Sequence, residues 1–267
     1  MSTGQTSIAK ATEKCLPTRV GGGGRTYIYA VIGNAQDRSY GEVGIDGRDV
    51  YCIPVGRVAA VVSNLSSDKI RPERSRLSAH QQVLKKIMTE TTPLPMAFGI
   101  LAENPQAVRK MLSRNQHAFL VQLNRVVGKV EMGLRVTWDV PNIFEYFVNT
   151  HPELRLVRDR LLGVQREPTQ EQKIEVGRMF DRLLNEDRDA YAEKVEGILA
   201  PLCAEIERNK SRNEREVLNL ACLVERAATP QFEAGVFEAA KQFDNNFAFD
   251  YNGPWAPHNF VEIDLRL

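Results

Sequence analysis

The chain has 267 residues, 43% hydrophobic and 26% charged, which is the composition of a globular protein with one large domain or two ordinary ones. A formal net charge of +1 argues against general nucleic-acid binding, which needs concentrated Lys and Arg. No apolar run approaches the roughly 18 residues of a membrane span, and the N-terminus lacks the apolar core of a secretory signal. Four scattered cysteines without a C-x-x-C pair indicate reduced thiols, so we expect a cytoplasmic protein.

The first 24 residues are polar, show no periodicity and end in four consecutive glycines. Four glycines lose too much backbone entropy to lie inside a helix or strand, so residues 1–24 are predicted to be a flexible N-terminal extension. A phosphate-binding loop would need a strand before the glycines and a helix after them, whereas a strand follows here. Residues 25–128 predict an N-terminal α+β domain. Its predicted elements are the strands Thr26–Ile32, Val50–Ile53 and Val58–Val62 and the helices Ser75–Glu90 and Asn104–Gly128.

Residues 129–250 predict a second α+β domain. It begins with strict apolar alternation over Lys129–Trp138, a pattern typical of a half-buried strand. A helix from Pro141 to about Leu162 follows, and then a helical insertion at about 169–210, which Pro201 must kink or divide. The remaining predicted elements are a strand within 214–226, a helix over Phe232–Phe243, and strands within 246–251 and 259–267.

The order of these elements predicts the fold class. Single strands do not alternate regularly with single helices, so two α+β domains are favoured over a doubly wound sheet. The second domain is predicted to have a modified ferredoxin-like fold, a split β-α-β arrangement that carries the helical insertion. Residues 251–267 are predicted to form a C-terminal strand and a tail that packs between the domains.

No set of residues predicts catalysis or metal binding. The four histidines lie on separate predicted elements, and none is near a cysteine in sequence, so a metal site would need ligands from distant segments. The chain contains neither a G-x-S-x-G elbow nor a glycine-rich phosphate motif. Glu186, Asp187 and Asp189 are interspersed with arginines opposite an apolar stripe, which favours a solvated helix face over acid–base catalysis. We therefore expect no catalytic residue, no metal and no cofactor.

Three segments are unusual in other ways: "PLPMAFGI" (93–100), the regular strand at 129–138, and "YNGPWAPHNF" (251–260). Each is either an interface or a packed structural element, and burial favours the packed element. In the last segment, Pro254 and Pro257 stiffen the chain, and Trp255 is expected to be mostly buried, so that Trp255→Ala would lower stability by about 3–5 kcal/mol. The candidate contacts between domains or with a partner are Pro95, Phe98, Trp138, Pro254, Trp255 and Phe260.

An ordered set of short segments resembles the GvpL/GvpF family of gas vesicle accessory proteins. Single segments are weak signals, whereas the set in this order is specific and extends from Thr26 to Val261. The segments are "YIYAVI", "GRVAAVVS", "PLPMAFG", "GKVEMGLRVTWD", "VLNLACLVE" and "GPWAPHNFV".

The resemblance implies two α+β domains, the second a modified ferredoxin fold with a three-helix extension. It also implies a non-enzymatic protein that contacts the small hydrophobic gas vesicle shell protein (GvpA type) and other accessory proteins. Such a protein would lie at the gas-facing side of the wall, support nucleation or chaperoning of the shell, and bind neither nucleic acid nor a lipid membrane. The alternative is a ligand-sensing module or an enzyme on a ferredoxin-like fold, which would need a pocket, for example near Trp138, Asp139 and His258.

Overall fold

The computed structural model describes residues 24–33, 36–66, 69–162 and 169–263, and it contains two β-sheets with helices packed against each. This architecture confirms the predicted α+β class. The predicted N-terminal extension lies outside the described residues apart from Gly24. Within the described ranges, no helix combines the length and the apolar character needed to cross a membrane.

The first sheet and its two helices occupy residues 25–126. The strands are β1 (Arg25–Gly33), β2 (Ser39–Gly41), β3 (Val50–Val55), β4 (Val58–Leu65), β5 (Leu94–Pro95) and β6 (Leu101–Ala102), and the helices are α1 (Arg74–Met88) and α2 (Pro105–Val126). The strand order is β2-β3-β4-β1-β5, and β6 also pairs with β1. The helices cover opposite faces, because Tyr27 and Tyr29 of β1 pack with α1 whereas Ile28 packs with α2.

The predicted start of α2 is confirmed in detail. Asn104 caps the helix, since its side-chain oxygen accepts a hydrogen bond from the Ala107 backbone N–H at 2.9 Å. Pro105 occupies the first turn, where a backbone N–H would have no partner within the helix.

The second sheet and its helices occupy residues 129–255. The strands are β7 (Lys129–Trp138), β8 (Glu205–Arg208), β9 (Glu216–Glu225) and β10 (Phe247–Trp255), and the helices are α3 (Ile143–Thr150), α4 (Pro152–Leu162), α5 (Gln170–Leu199) and α6 (Thr229–Ala240). The strand order is β10-β7-β9-β8 and all neighbours are antiparallel. Strand β9 therefore lies between β7 and β8, as in a split β-α-β arrangement. The ferredoxin-like name and the domain boundaries stay predictions.

Several predicted elements differ in the structure. The predicted helix from Pro141 to Leu162 is two helices, because His151 has an extended backbone before Pro152, as a residue preceding proline favours. Helix α5 ends at Leu199, and Pro201 lies in a short 3-10 turn beyond it. The insertion was also predicted to be helical to about 210, yet residues 205–208 form β8, a strand that the sequence pattern did not reveal.

The end of the chain also differs from its prediction. Strand β10 continues through Trp255, so the first half of "YNGPWAPHNF" is itself strand rather than a connection between strands. The predicted last strand within 259–267 is wrong over the described residues, because His258–Phe260 is a 3-10 turn and residues 261–263 pair with no described strand.

The two sheets are joined through α2. Helices α3–α6 pack on the apolar face of the second sheet, and its opposite face, here called the outer face, turns towards α2. Ala221 and Leu223 of β9 lie in the same buried cluster as the apolar stripe of α2. At the end of α2, the Arg125 guanidinium donates to the Glu205 carboxylate of β8 at 2.8 Å.

Candidate functional site

The residues that follow β10 bridge the two sheets. We call residues 255–263, which begin at the last residue of β10, the C-terminal clasp. The carboxylate of Glu131, on the outer face of β7, accepts hydrogen bonds from the Asn259 backbone N–H at 2.8 Å and from Asn259 Nδ2 at 2.7 Å. Glu131 is buried, and its burial raises the pKa of the carboxyl while the bonds from Asn259 lower it. The clasp is thus bonded to the second sheet through a buried charged group.

Phe260 connects the clasp to the first sheet. Its ring is 1% exposed and lies in the buried cluster that also contains Phe119 and Leu123 of α2 and Leu223 of β9. Two residues later, the Glu262 carbonyl accepts a hydrogen bond from Gln122 Nε2 of α2 at 3.0 Å. Phe260 therefore contacts both halves of the molecule at once.

Trp255 is only half-buried, which differs from the expectation that it is mostly buried. Strand β10 places it opposite Glu131 on the outer face, at the rim of an open groove, so one side of the ring meets solvent. Its Nε1 donates to Asn252 Oδ1 at 2.7 Å, and Lys85 Nζ of α1 lies 4.9 Å from the ring centre. The neighbouring Pro254 is exposed and follows a cis peptide bond. Trp255 thus contacts the first sheet's helix through a cation–π interaction rather than through deep packing.

Pro95 and Phe98 lie in the first sheet. Pro95 is buried on β5 opposite Ala30 of β1. The half-buried Phe98 ring is 6.0 Å from Tyr27 and 5.9 Å from His80, between ring centres. The sequence segment 93–100 therefore closes over an aromatic group beneath α1.

His80 is the centre of that aromatic group. It is 2% exposed, and its Nδ1 lies 2.8 Å from the Tyr27 hydroxyl, while Nε2 has no hydrogen-bond partner among the described residues. Burial, together with the nearby His258, lowers the pKa of His80 to about 4. His80 is therefore neutral at physiological pH and is a buried packing residue beneath α1.

Trp138 is buried at the end of β7. Its ring contacts Phe147 of α3 in an edge-to-face arrangement, with ring centres 5.3 Å apart. The pocket that the ligand-binding alternative requires near Trp138, Asp139 and His258 does not coincide with either large groove of the second sheet. The outer face instead carries an open polar groove of about 410 Å³, lined by Arg135, Asn209, Lys210, Arg212, Asn219, Asn252 and Trp255, among others.

An aromatic cluster beside β10 escaped sequence reasoning. We call Tyr191, Phe243, Phe247 and Phe249 the β10 aromatic cluster. The Phe243 ring centre is 5.0 Å from those of both Phe247 and Phe249, and Tyr191 is 4.9 Å from Phe247. The available signal was the period-two spacing of aromatic residues in "NFAFDY", although Tyr191 comes from the distant helix α5. All four rings are partly accessible at this edge of the second sheet.

Among the described residues, no group of three or more His, Cys, Asp or Glu side chains could hold a metal ion. The carboxylates singled out on α5 meet basic neighbours near the surface: Glu186 pairs with Arg182 at 3.0 Å and Asp187 lies 3.4 Å from His151. The three cysteines within the described ranges are free thiols.

The fold and the clasp define a two-sheet α+β protein whose C-terminal residues tie its second sheet to the helices of its first. Residues 25–262 match the family model described as "Gas vesicle synthesis protein GvpL/GvpF", so the chain belongs to the GvpL/GvpF family. The resemblance inferred from the sequence segments is thereby confirmed. Membership of this family supports an accessory role in gas vesicles.

Relatives and solved structures match this chain over 89% to 90% of its length. The chain is 26% identical to gas vesicle protein F of Streptomyces sp. (strain CB03234), over 89% of this chain and 99% of that protein. It is 23% identical to gas vesicle protein F of Dolichospermum flosaquae, over 89% and 98%. The crystal structure of GvpF from Anabaena sp. PCC7120 superimposes with a TM-score of 0.78 at 21% identity, covering 90% of this chain and 99% of that one. The fold is therefore shared.

Proposed function

We propose that this chain is a non-enzymatic accessory protein that binds the small hydrophobic gas vesicle shell protein (GvpA type) and supports assembly of the vesicle wall. The observation that carries the proposal is the family match over residues 25–262, which leaves only short ends of the chain outside it. Other gas vesicle accessory proteins are further partners. The protein acts by nucleating the wall or by chaperoning shell subunits before they join it.

The surface of the second sheet supports this proposal. A hydrophobic shell subunit needs an apolar contact before assembly covers its own apolar side chains. The chain exposes Phe237 of α6 to 59%, and it exposes Tyr251 to 36% on β10, the strand that also carries Phe247 and Phe249. Large aromatic residues with one accessible side are the residue types that protein interfaces favour.

Assembly can be tested in a host that produces gas vesicles. We expect deletion of the gene to abolish or deform the vesicles seen by electron microscopy, and the intact gene to restore them. Tagged protein should also co-purify with the shell protein produced in the same cells. Normal vesicles in the deletion strain, together with no co-purification, would refute the assembly role.

We place the protein at the gas-facing surface of the wall. If it lies there, an externally added protease should leave it intact in whole vesicles and cleave it after the vesicles are collapsed and dissolved. A protein on the outer surface would be cleaved in whole vesicles under the same conditions. The shell protein provides the loading control in both samples.

A further inference from the structure

The open groove on the outer face of the second sheet has a basic end. The cationic side chains among its lining residues are Arg135 of β7 and Lys210 and Arg212 of the connection between β8 and β9. The side chains of Lys210 and Arg212 form no hydrogen bond or ion pair with any residue that the structure describes. Two of the three cations at this groove therefore have no counterion in the described chain.

A buried carboxylate holds the third cation and the β8–β9 connection in place. Glu216, 1% exposed at the start of β9, lies 3.0 Å from Arg135 Nε and accepts a hydrogen bond from the Arg212 backbone N–H. Arg135 Nε is itself buried, whereas the Arg135 side chain as a whole is 34% exposed, which leaves part of it open to the groove that it lines. One internal group thus positions a guanidinium and the backbone beside a second one, and such pre-ordering lowers the entropic cost of binding.

Two asparagine side chains add neutral donors at the same end. Asn219 lies opposite Arg135 in the register of β9 with β7, and the Asn209 backbone N–H donates to the Asn219 carbonyl at 2.8 Å. Both asparagines line the groove, and their side-chain amides have no hydrogen-bond partner within the described chain. This end of the groove is therefore rich in donors that lack acceptors, a composition that suits an oxyanion.

The acidic side chains near the groove leave its basic end positive. Glu131 lies at the other end, where its carboxylate already accepts two hydrogen bonds from the clasp. Glu207 lies on β8, outside the lining of the groove. Asp250 lies opposite Arg135 in the ladder, but it does not line the groove and forms no ion pair with Arg135 in the described chain. At the basic end, three cations therefore stand against two carboxylates, Asp250 and Glu216.

We propose that the basic end of this groove binds a phosphate group, with Arg135, Lys210 and Arg212 as its cationic contacts. A phosphate offers three oxygens to three cationic donors, whereas a carboxylate offers two. The groove volume of about 410 Å³ lies in the range of small-molecule sites, so the phosphate is either free or carried on a nucleotide. The base of a nucleotide would lie towards Trp255, which stands opposite Glu131, about 13 Å along β7 from Arg135. This inference does not depend on the proposed function.

The test is calorimetric titration of the full chain with inorganic phosphate at constant ionic strength, with sodium chloride as the reference. We expect saturable binding of phosphate and none of chloride. Lys210→Gln and Arg212→Gln should each weaken phosphate binding by about tenfold, because each removes a charged hydrogen-bond donor. Arg178→Gln, at an exposed site on α5, removes the same charge away from the groove and should bind phosphate like the wild type.

Three results overturn the proposal. They are the absence of saturable binding at about 10 mM phosphate, an equal response to chloride, and equal weakening by Arg178→Gln, which would show a general effect of charge. Arg135→Gln should also weaken binding, but it leaves Glu216 buried without its cation. The two exposed sites, Lys210 and Arg212, keep the test decisive if that variant does not fold.

Titration with AMP distinguishes a free phosphate from a nucleotide. If AMP binds several-fold more tightly than phosphate, and Trp255→Leu removes this gain without changing the affinity for phosphate, the nucleotide is the source. If AMP and phosphate bind alike, free phosphate is the source. AMP binding that Lys210→Gln and Arg212→Gln both leave unchanged overturns the assignment of the phosphate to the basic end. All these measurements use the isolated chain, so they stand or fall separately from co-purification with the shell protein.

Discussion

Buried His80 is expected to make the protein less stable in mild acid. The ring is 2% exposed beneath α1, and the pKa falls from an ordinary value of 6.5 to about 4 because burial penalises the charged form and His258 lies nearby. Between these two pH values the unfolded chain binds a proton at His80 and the folded chain does not. The contribution of neutral His80 to stability is therefore complete above about pH 6.5 and is lost as the pH falls to about 4.

The size of the effect follows from the two pKa values. Each pKa unit corresponds to about 1.4 kcal/mol, so the fall from 6.5 to about 4 corresponds to a loss of about 3 kcal/mol across this range. Glu131 acts in the opposite direction, because its raised pKa lets the folded protein take up a proton more readily than the unfolded chain. Burial also lowers the pKa of His258, which therefore acts in the same direction as His80, so the wild-type curve alone does not isolate the contribution of His80.

The assay is urea unfolding at several pH values between about 7 and about 4, with wild type and His80→Asn compared at each. Asparagine keeps a polar group near the position of Nδ1 for the Tyr27 hydroxyl but does not titrate. The variant should be less stable at neutral pH, and the gap should shrink by about 3 kcal/mol towards pH 4. His117→Asn, at an exposed site on α2, is the control for the same substitution away from the buried group.

The reasoning would be refuted by parallel curves. If wild type and His80→Asn lose stability equally between pH 6.5 and pH 4, His80 titrates alike in the folded and unfolded chains, and its burial does not exclude the charged form. Because Glu131 is present in both proteins, its contribution cancels in their difference.

Two further predictions concern the clasp. Phe260→Ala should lower the free energy of unfolding by about 3–5 kcal/mol in urea titrations, because it leaves a cavity between α2 and β9. A loss below about 1 kcal/mol would show that the neighbouring side chains close the space. Trp255→Ala should lower it by only about 1–2 kcal/mol, since the ring is half-buried and its cation–π contact with Lys85 is near solvent. A loss of about 4 kcal/mol by the same measurement would contradict the half-buried position and restore the expectation of deep burial.

Elements with a strong local signal were predictable from the sequence. The alternation of Val130, Met132 and Leu134 with Glu131 and Gly133 predicted β7, and the structure confirms its bounds. The Asn104-Pro105 pair predicted the start of α2 for the same local reason, a cap and a first-turn proline. The alternation repeats along the 10 residues of β7, and an asparagine followed by a proline is a specific signal for a helix start. In both cases, residues close together in sequence are enough to set the conformation.

Strand β8 shows where local reasoning fails. Its four residues are mostly charged, and Ile206 continued the apolar spacing of the preceding helix. The segment is extended because Ala204 and Ile206 lie beside β9, and the Ala204 N–H donates to the Leu223 carbonyl at 2.7 Å. Pairing with a strand more than ten residues away outweighed the local helical pattern.

The sequence by itself determined most of the longer helices and strands, the α+β class and, through an ordered set of segments, the family. Only the tertiary structure decided that Glu131 meets Asn259, that Trp255 stops at the rim of a groove, and that Phe249 and Tyr251 lie on a free edge. The physical reason is the distance along the chain over which each effect acts. Periodicity and caps act over a few residues, whereas burial, edge position and hydrogen-bond partners depend on which distant strands and helices come to lie side by side.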